Sequence, residues 1–147
     1  MMRTQVRLAG LWITLVLLYV YCDIYSFHRP GYVADMTAGK IGPFDVSQGT
    51  LAGFGVLMAV PILMIPASLF LNLVIVRWLS LLVGILYTLV NVGNLVGETW
   101  AYYWVYGLLE IAVTALIIGV AATRTVRSSP ARDTVTTWTQ TRRSDAL

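Results

Sequence analysis

The sequence predicts an all-α integral membrane protein, a four-transmembrane-helix bundle followed by a basic tail. Of its 147 residues, 58% are hydrophobic and only 12% are charged, and the mean hydropathy is +0.75. A soluble domain carries about 25% charged residues, so this chain has too little polar surface for a water-soluble protein. A spanning helix needs about 20 apolar residues, and four such stretches take up most of the chain.

The predicted helices are separated by one long loop and two short turns. We expect a transmembrane domain over residues 1–122 and a disordered cytoplasmic tail over residues 123–147, which is rich in Thr, Ser and Arg. Within the domain, helices are predicted at about 6–27, 47–72, 75–96 and 100–122, with an outer loop at 28–46. Glycines and a proline argue against a regular element in that loop. Its apolar side chains predict either a lid folded over the bundle or a segment lying flat at the headgroups.

Local signals support the ends of these helices. The first helix ends before Pro30, which disfavours helical geometry at the preceding residue. No small-residue cleavage site follows its apolar run, so we interpret it as a retained helix and not as a signal peptide. Asp45 and Gln48 resemble a capping box for the second helix. Arg77 and Trp78 have the composition of an interfacial anchor at the start of the third.

Glycines and prolines predict how the helices pack. Two small-residue pairs at i, i+4 spacing are expected to allow close helix approach; they are Gly49 with Gly53 and Gly93 with Gly97. Pro61 and Pro66 each remove a backbone donor inside the second helix. Because lipid cannot satisfy the freed carbonyls, we expect a kink facing the bundle, either a static bend or a gate.

Polar and aromatic side chains recur at helical spacing on three of the four predicted helices. Polar groups in a membrane face inward because exposing them to lipid is costly. We therefore expect these stripes to face one another. They are Trp12, Tyr19, Asp23 and Ser26 on the first helix; Tyr87, Asn91, Asn94 and Glu98 on the third; and Tyr103, Gly107, Glu110 and Thr114 on the fourth.

The positive charges predict the orientation. Of the ten Lys and Arg residues, only Arg29 and Lys40 lie in the predicted outer loop. The positive-inside rule then places both termini in the cytoplasm. Asp23, Asn91 and Glu98 fall in the outer half under this orientation, together with the aromatic start of the fourth helix. We expect a pocket that opens to the outer leaflet beneath the loop.

Three carboxylates are candidate catalytic groups, namely Asp23, Glu98 and Glu110. A carboxylate on a spanning helix costs about 2.5–3.5 kcal/mol on insertion scales, so each one needs a reason. Glu110 lies roughly 15 Å along its helix from Trp100, near the middle of the hydrocarbon. The structural alternative is that Glu110 hydrogen-bonds to Asn91, Tyr87 or a backbone carbonyl, and that Glu98 is solvated or caps a helix. Candidate substrate-binding residues are Trp12, Tyr19, Tyr87, Asn91, Asn94, Tyr103 and Tyr106.

One shared site is expected from these candidates. Asp23, Asn91, Asn94 and Glu110 should line a single cavity, and three classes of function fit it. An enzyme would isomerise or cyclise a lipophilic, isoprenoid-like substrate, with one acid donating a proton, a carboxylate removing one, and aromatic faces stabilising a cation. An oligomeric proton-coupled transporter would relay protons through the acids. A non-catalytic subunit of a larger membrane complex would use the polar stripes to bind its partners.

Several classes are excluded by composition. One Cys and one His rule out an internal disulfide, a thiolate metal cluster and a bis-histidine haem within one chain. We predict no metal site and no cofactor. The net charge of +3 comes from residues flanking apolar runs, so nucleic acid is not an expected partner. The expected partners are the lipid bilayer, a lipophilic small molecule, and further copies of the chain or a larger membrane complex.

Two segments carry a resemblance to known proteins. They are YCDIYSFHRPG at 21–31 and AGKIGPFDVSQG at 38–49. With them the chain resembles small bacterial four-helix membrane proteins that have no assigned activity, over most of residues 8–120. This resemblance implies the four-helix architecture and a bacterial inner-membrane location, and it implies no catalytic residues. In helix count the chain is also distantly similar to proteins of the DoxX type. Its acids and aromatics are loosely similar to those of small membrane terpene cyclases and sterol isomerases.

Overall fold

The structure, a computed structural model, describes residues 2–123. The predicted disordered tail, from residue 124 onward, lies outside them. The elements are α1 Met2–Ser26, α2 Tyr32–Thr37, β1 Lys40–Ile41, β2 Phe44–Asp45, α3 Gln48–Phe70, α4 Leu73–Leu95 and α5 Ala101–Ala122. The helices α1, α3, α4 and α5 are long and apolar enough to cross a membrane. The predicted fold class, a four-helix integral membrane bundle, is confirmed.

The four long helices form an incomplete ring. Helix α1 packs against both α3 and α5, and α4 packs against α5, whereas α3 and α4 touch only sparsely. The core lies where α1, α4 and α5 meet, and it contains Trp12, Val76, Tyr87 and Ile117, all at most 1% exposed. The bundle is therefore well packed on three sides and loosely joined between α3 and α4.

Helix contacts at glycine differ from those predicted. A Cβ at Gly107 would lie 2.5 Å from Cδ2 of Leu95, and one at Gly84 would lie 3.0 Å from Cγ1 of Ile118, so these two glycines mark the close approach of α4 and α5. At the predicted pairs no other helix of residues 2–123 makes such a contact: a Cβ at Gly53, Gly93 or Gly97 would have nothing within 4 Å, and one at Gly49 would meet only Ser47. The glycine-pair prediction is wrong within this chain, because the spacing marks a small-residue face without showing whether another helix lies against it.

Helix α3 begins with a different cap from the one predicted. Ser47 is its N-cap, and the Ser47 hydroxyl accepts a hydrogen bond from the amide of Thr50 at 3.1 Å. Asp45 instead belongs to β2, where it pairs with Lys40. The capping box at Asp45 is therefore wrong, because the hairpin keeps Asp45 in extended geometry two residues before the cap.

The carbonyl that Pro61 frees is satisfied by another helix, as expected inside a membrane, while the predicted kink stays a prediction. Helix α3 continues from Gln48 to Phe70 through Pro61 and Pro66. Since Pro61 has no amide hydrogen, the carbonyl of Leu57 lacks its usual helical donor. The Tyr87 hydroxyl of α4 donates to that carbonyl. The freed group is thus satisfied from the neighbouring helix, as the membrane environment requires.

At the end of the bundle opposite the long loop, polar side chains hydrogen-bond one helix to the backbone of another. Helix α1 starts at Met2 and not near residue 6, and the Gln5 amide group donates to the carbonyl of Leu71 at 2.9 Å. Arg77 donates to the carbonyls of Ala121 and Ala122, at 2.7 and 3.1 Å. These carbonyls belong to the last turn of α5, so a cation supplies hydrogen bonds that the helix itself cannot.

The long loop is more regular than predicted, and it contacts the bundle through Phe44, whose ring packs edge-on against Phe54 of α3. It contains the short helix α2 and a hairpin in which Ile41 pairs with Phe44. Glycines with positive φ lie at its turns, including Gly31 at 85° and Gly42 at 56°, which is why the breakers bound short elements instead of preventing them. Helix α2 has no buried residue, and no residue of 28–46 lines the cavity described below. The alternative expectation, a loop at the headgroup level, fits its exposed apolar side chains.

Candidate functional site

A cavity of about 110 Å³ lies between the four long helices. The structure brings Asp23, Asn91, Asn94 and Glu110 together on its wall, with Tyr19, Tyr87 and Tyr103. Every spanning helix contributes to it. The full lining is Tyr19, Cys22 and Asp23 from α1; Phe54, Leu57 and Met58 from α3; Tyr87, Val90, Asn91 and Asn94 from α4; and Tyr103 and Glu110 from α5.

Glu110 is the buried acid of the cavity. It is 5% exposed and lies on the inward face of α5 between Gly107 and Thr114, which are buried as well. The Thr114 hydroxyl donates to the backbone carbonyl of Glu110 at 3.0 Å and not to its carboxyl group. Among residues 2–123, no side-chain or backbone group hydrogen-bonds to that carboxyl. The structural alternative, in which Glu110 is bonded to Asn91 or Tyr87, is therefore not what the structure contains.

Asp23 lies at the mouth of the same cavity. Three of the lining residues, Asp23, Met58 and Asn94, are exposed. They come from α1, α3 and α4, so the mouth is on the side where α3 and α4 meet loosely. One acid of the site is thus accessible from outside and the other is enclosed.

A tyrosine and an asparagine are joined across the cavity wall. The Tyr19 hydroxyl donates to Oδ1 of Asn91 at 2.9 Å, and Asn91 is only 1% exposed. Its other polar atom, Nδ2, has no hydrogen-bond partner within the described residues. A buried donor without an acceptor is costly, so this atom is a notable feature of the site.

The remaining tyrosines of the cavity differ in what their hydroxyl groups do. The Tyr87 hydroxyl is already used by the Leu57 carbonyl, so Tyr87 offers the cavity its ring and not a free donor. Its ring centroid lies 6.5 Å from that of Tyr19. Tyr103 is half-buried and lines the wall beside Glu110.

Glu98 is not part of the cavity. Its carboxylate accepts from the Arg29 guanidinium at 3.2 Å and from the amides of Thr99 and Trp100 at 2.8 and 3.1 Å. Partial burial raises the pKa of Glu98, but these amides and Arg29 together hold the pKa below its usual value. The structure therefore places Glu98 in the turn before α5, where it binds the long loop through Arg29 and lies outside the cavity.

Two further candidates also lie elsewhere. Trp12 is fully buried, and its indole nitrogen is 3.5 Å from the Ser80 hydroxyl. Seven residues separate Trp12 from Tyr19, which is about 10 Å along the helix, so Trp12 shares the face but not the depth of the cavity. The Tyr106 ring packs against Tyr25, with centroids 5.8 Å apart. Neither residue lines the cavity.

An apolar part of the wall was missed by the sequence reasoning. Phe54, Leu57 and Met58 of α3 face Val90 of α4 across the cavity, and Cys22 lies beside Asp23. The three α3 residues are spaced by three and one, which places them on one face of the helix. Because α3 is apolar all round, no periodicity distinguishes this face from the others. The available signal was Pro61, since the carbonyl that it frees belongs to Leu57 and must face a donor.

The fold and the cavity define a small four-helix integral membrane protein with an acid-lined site between its helices. The described residues hold no cluster of His, Cys, Asp and Glu that could bind a metal ion. The chain belongs to the Family of unknown function (DUF6326), whose model matches residues 2–129. Neither the comparison with curated proteins nor that with solved structures gives a match. The resemblance to four-helix membrane proteins without an assigned activity is confirmed, and their bacterial origin stays a prediction.

Proposed function

We propose that this protein catalyses acid/base isomerisation of a lipophilic, isoprenoid-like molecule at the cavity. One observation carries the proposal: Asp23 of α1 and Glu110 of α5 line the same cavity, and neither carboxyl group has a hydrogen-bond or ion-pair partner among residues 2–123. Acids that only stabilise a bundle are expected to be bonded to it. Two unbonded acids on the wall of one cavity can transfer protons to and from a bound molecule.

The two acids suit opposite roles. Glu110 is enclosed and in its acid form donates a proton to one carbon of the substrate. Asp23, as a carboxylate, removes a proton from another carbon, and the double bond moves between them. Asp23 then gives its proton to water at the mouth, and Glu110 takes a proton from water that enters through the same opening, which restores both acids. Atoms and electrons balance without an oxidant or a cofactor.

The size of the cavity favours isomerisation over cyclisation. A protein cavity of about 150 Å³ holds one benzene molecule, and this one measures about 110 Å³. It therefore accepts the reacting end of an isoprenoid and not a whole folded chain. The rest of the molecule would lie in the loose contact between α3 and α4, against the bilayer.

Transport has less support from the buried polar groups. The Ser68 hydroxyl donates to the Met64 carbonyl of its own helix at 2.6 Å, and Thr114 is bonded to its own helix in the same way. Ser80 faces Trp12. A proton path across the bundle would need such groups to be free to relay, so these hydroxyls do not extend the cavity toward the other side.

The location within the cell is part of the same proposal. We infer a bacterial inner-membrane protein with both termini in the cytoplasm and the mouth of the cavity toward the outer leaflet. The distribution of Lys and Arg supports this orientation, since only Arg29 and Lys40 lie in the long loop.

Solvent deuterium tests the reaction even while its product is unidentified. Full-length protein in nanodiscs would be incubated in D₂O with C10–C20 isoprenoid alcohols, ketones and quinones, and the recovered lipids analysed by mass spectrometry. Isomerisation by exchangeable acids places deuterium on carbon. Asp23→Asn and Glu110→Gln should each abolish the uptake, while Glu98→Gln, outside the cavity, should retain it. Folded wild-type protein that gives no carbon-bound deuterium with any of these lipids would disprove the proposal.

A further inference from the structure

The amide nitrogen of Asn91 is a hydrogen-bond donor without an acceptor among the described residues. Asn91 is 1% exposed and lines the cavity. Its Oδ1 is held by the Tyr19 hydroxyl at 2.9 Å, which leaves Nδ2 as the free end of the amide. A buried amide N–H left unpaired costs free energy that a bound acceptor would recover.

We propose that Nδ2 of Asn91 binds a carbonyl oxygen of the substrate, so that the molecule acted on is a lipophilic ketone or enone. This inference rests on the proposed function and narrows it. Because Nδ2 is a hydrogen-bond donor, the ligand must present an acceptor, such as an oxygen atom, to it. The acids limit which oxygen compounds qualify: if the carboxylate removes a proton before the other acid donates one, a neighbouring carbonyl must stabilise the resulting negative charge.

A carbonyl compound gives a role to both acids and to Asn91. Asp23 removes a proton from the carbon next to the carbonyl, and the electron pair of that C–H bond forms the double bond of an enolate or dienolate. The oxygen then carries the negative charge, and Asn91 Nδ2 stabilises it by hydrogen bonding. Glu110 returns a proton to the far carbon of the dienolate, the carbonyl re-forms, and the double bond has moved into conjugation. A carboxylate base paired with buried donors to the oxygen is an established solution to this chemistry.

The Tyr19–Asn91 bond holds the amide at the cavity wall. The Tyr19 hydroxyl donates to Oδ1, and Nδ2 is the end of the amide that is left to donate to a ligand. Tyr19 is thereby a positioning residue, since it acts through Asn91. Thr88, on the same helix but outside the cavity, donates to the Gly84 carbonyl of its own helix and provides the matched control.

Binding of one probe tests the carbonyl subsite directly. Geranylacetone labelled with ¹³C at its carbonyl would be titrated into full-length protein in nanodiscs and followed by infrared spectroscopy. A hydrogen bond from Nδ2 should lower the carbonyl stretching frequency in the wild type and in Thr88→Val. Loss of that bond in Asn91→Leu should remove the shift and weaken binding about tenfold. Myrcene, an isoprenoid hydrocarbon without any oxygen acceptor, should bind equally weakly to the wild type and to Asn91→Leu.

The double variant Tyr19→Phe/Asn91→Leu guards against misfolding. It removes both partners of the hydrogen bond, so neither group is left unsatisfied, and it should fold and still lack the shift. An unshifted carbonyl in the wild type, or a shift that survives in this double variant, would overturn the inference. Deuterium uptake by alcohols and by no ketone would also overturn the carbonyl inference, but it would still support the proposed isomerase. An Asn91-dependent shift without any deuterium uptake would support the carbonyl subsite and refute the isomerase.

Discussion

The Tyr87 hydroxyl donates its hydrogen bond to the backbone carbonyl of Leu57, four residues before Pro61. This bond joins α4 to α3 where the two helices otherwise touch sparsely. It also closes the wall of the cavity, which both residues line. A backbone defect in one helix is therefore repaired by a side chain of another, and the repair holds the site together.

Tyr87→Phe is expected to destabilise the bundle by about 1–3 kcal/mol, because it leaves the buried Leu57 carbonyl without a donor. Pro61→Ala restores a helical amide to that carbonyl, so Tyr87→Phe should cost little in the Pro61→Ala background. Reversible unfolding in detergent, run as a double-mutant cycle, measures the coupling. Tyr103→Phe is the control, since its hydroxyl has no hydrogen bond among the described residues. An equal cost of Tyr87→Phe in both backgrounds would show that the hydroxyl does not compensate for the proline.

Gly107→Ala should destabilise the α4–α5 contact by about 1–3 kcal/mol, because the new methyl group would overlap Leu95. Gly53→Ala, where the space is open, should be neutral or stabilising by up to about 1 kcal/mol through helix propensity. Thermal unfolding of both variants in the same detergent makes the comparison. The reverse order of stabilities would contradict the packing of α4 on α5.

Acid should weaken the contact of the long loop with the start of α5. The pKa of Glu98 is held below its ordinary value of 4.5 in the folded protein, so below that pH the unfolded chain binds the extra proton first. The stabilisation is therefore complete above about pH 4.5 and is lost as the pH falls through the lowered pKa. Glu98→Gln should lower the stability by about 1 kcal/mol at pH 6, and the difference from wild type should vanish near pH 3.

The matched control for this titration is Asp35→Asn, because Asp35 is exposed on α2 and has no ion-pair partner in the described part of the chain. Its stability should track the wild type at both pH values. A Glu98→Gln difference that persists unchanged at pH 3 would mean that the contact does not depend on the ionised carboxylate.

Labelling tests the proposed orientation. In a Cys22→Ala background, which removes the single native cysteine, Lys40→Cys should react with a membrane-impermeant maleimide on intact cells. Arg3→Cys, at the exposed start of α1, should react only after the membrane is opened. Reaction of Lys40→Cys solely from the cytoplasmic side would invert the topology.

Much of the bundle could be predicted because the bilayer imposes strict rules on the sequence. Apolar length gave the four spans, and structural ends such as Leu95 and Ala122 lie within a residue of those predicted. The inward preference of polar groups brought Asp23, Asn91 and Glu110 to one cavity. These rules act on each helix separately, so they do not depend on which helices surround it.

The features that were missed depend on neighbours or on turns. Glu98 continues the stripe of α4 by spacing, but α4 ends at Leu95 and Gly97 turns the chain at φ 82°. The Glu98 side chain therefore leaves the stripe and meets Arg29. Similarly, the face that α3 presents to the cavity is set by its contact with α1, which a uniformly apolar helix does not encode.

The loose contact between α3 and α4 determines which ligand concentration sets the occupancy of the cavity. A lipophile that enters between these helices arrives from the bilayer, so its occupancy follows its mole fraction in lipid and not its concentration in water. Diluting the same amount of ligand with protein-free vesicles should then lower occupancy at a constant total concentration. Affinities for this cavity acquire meaning only when the ratio of ligand to phospholipid is stated with them.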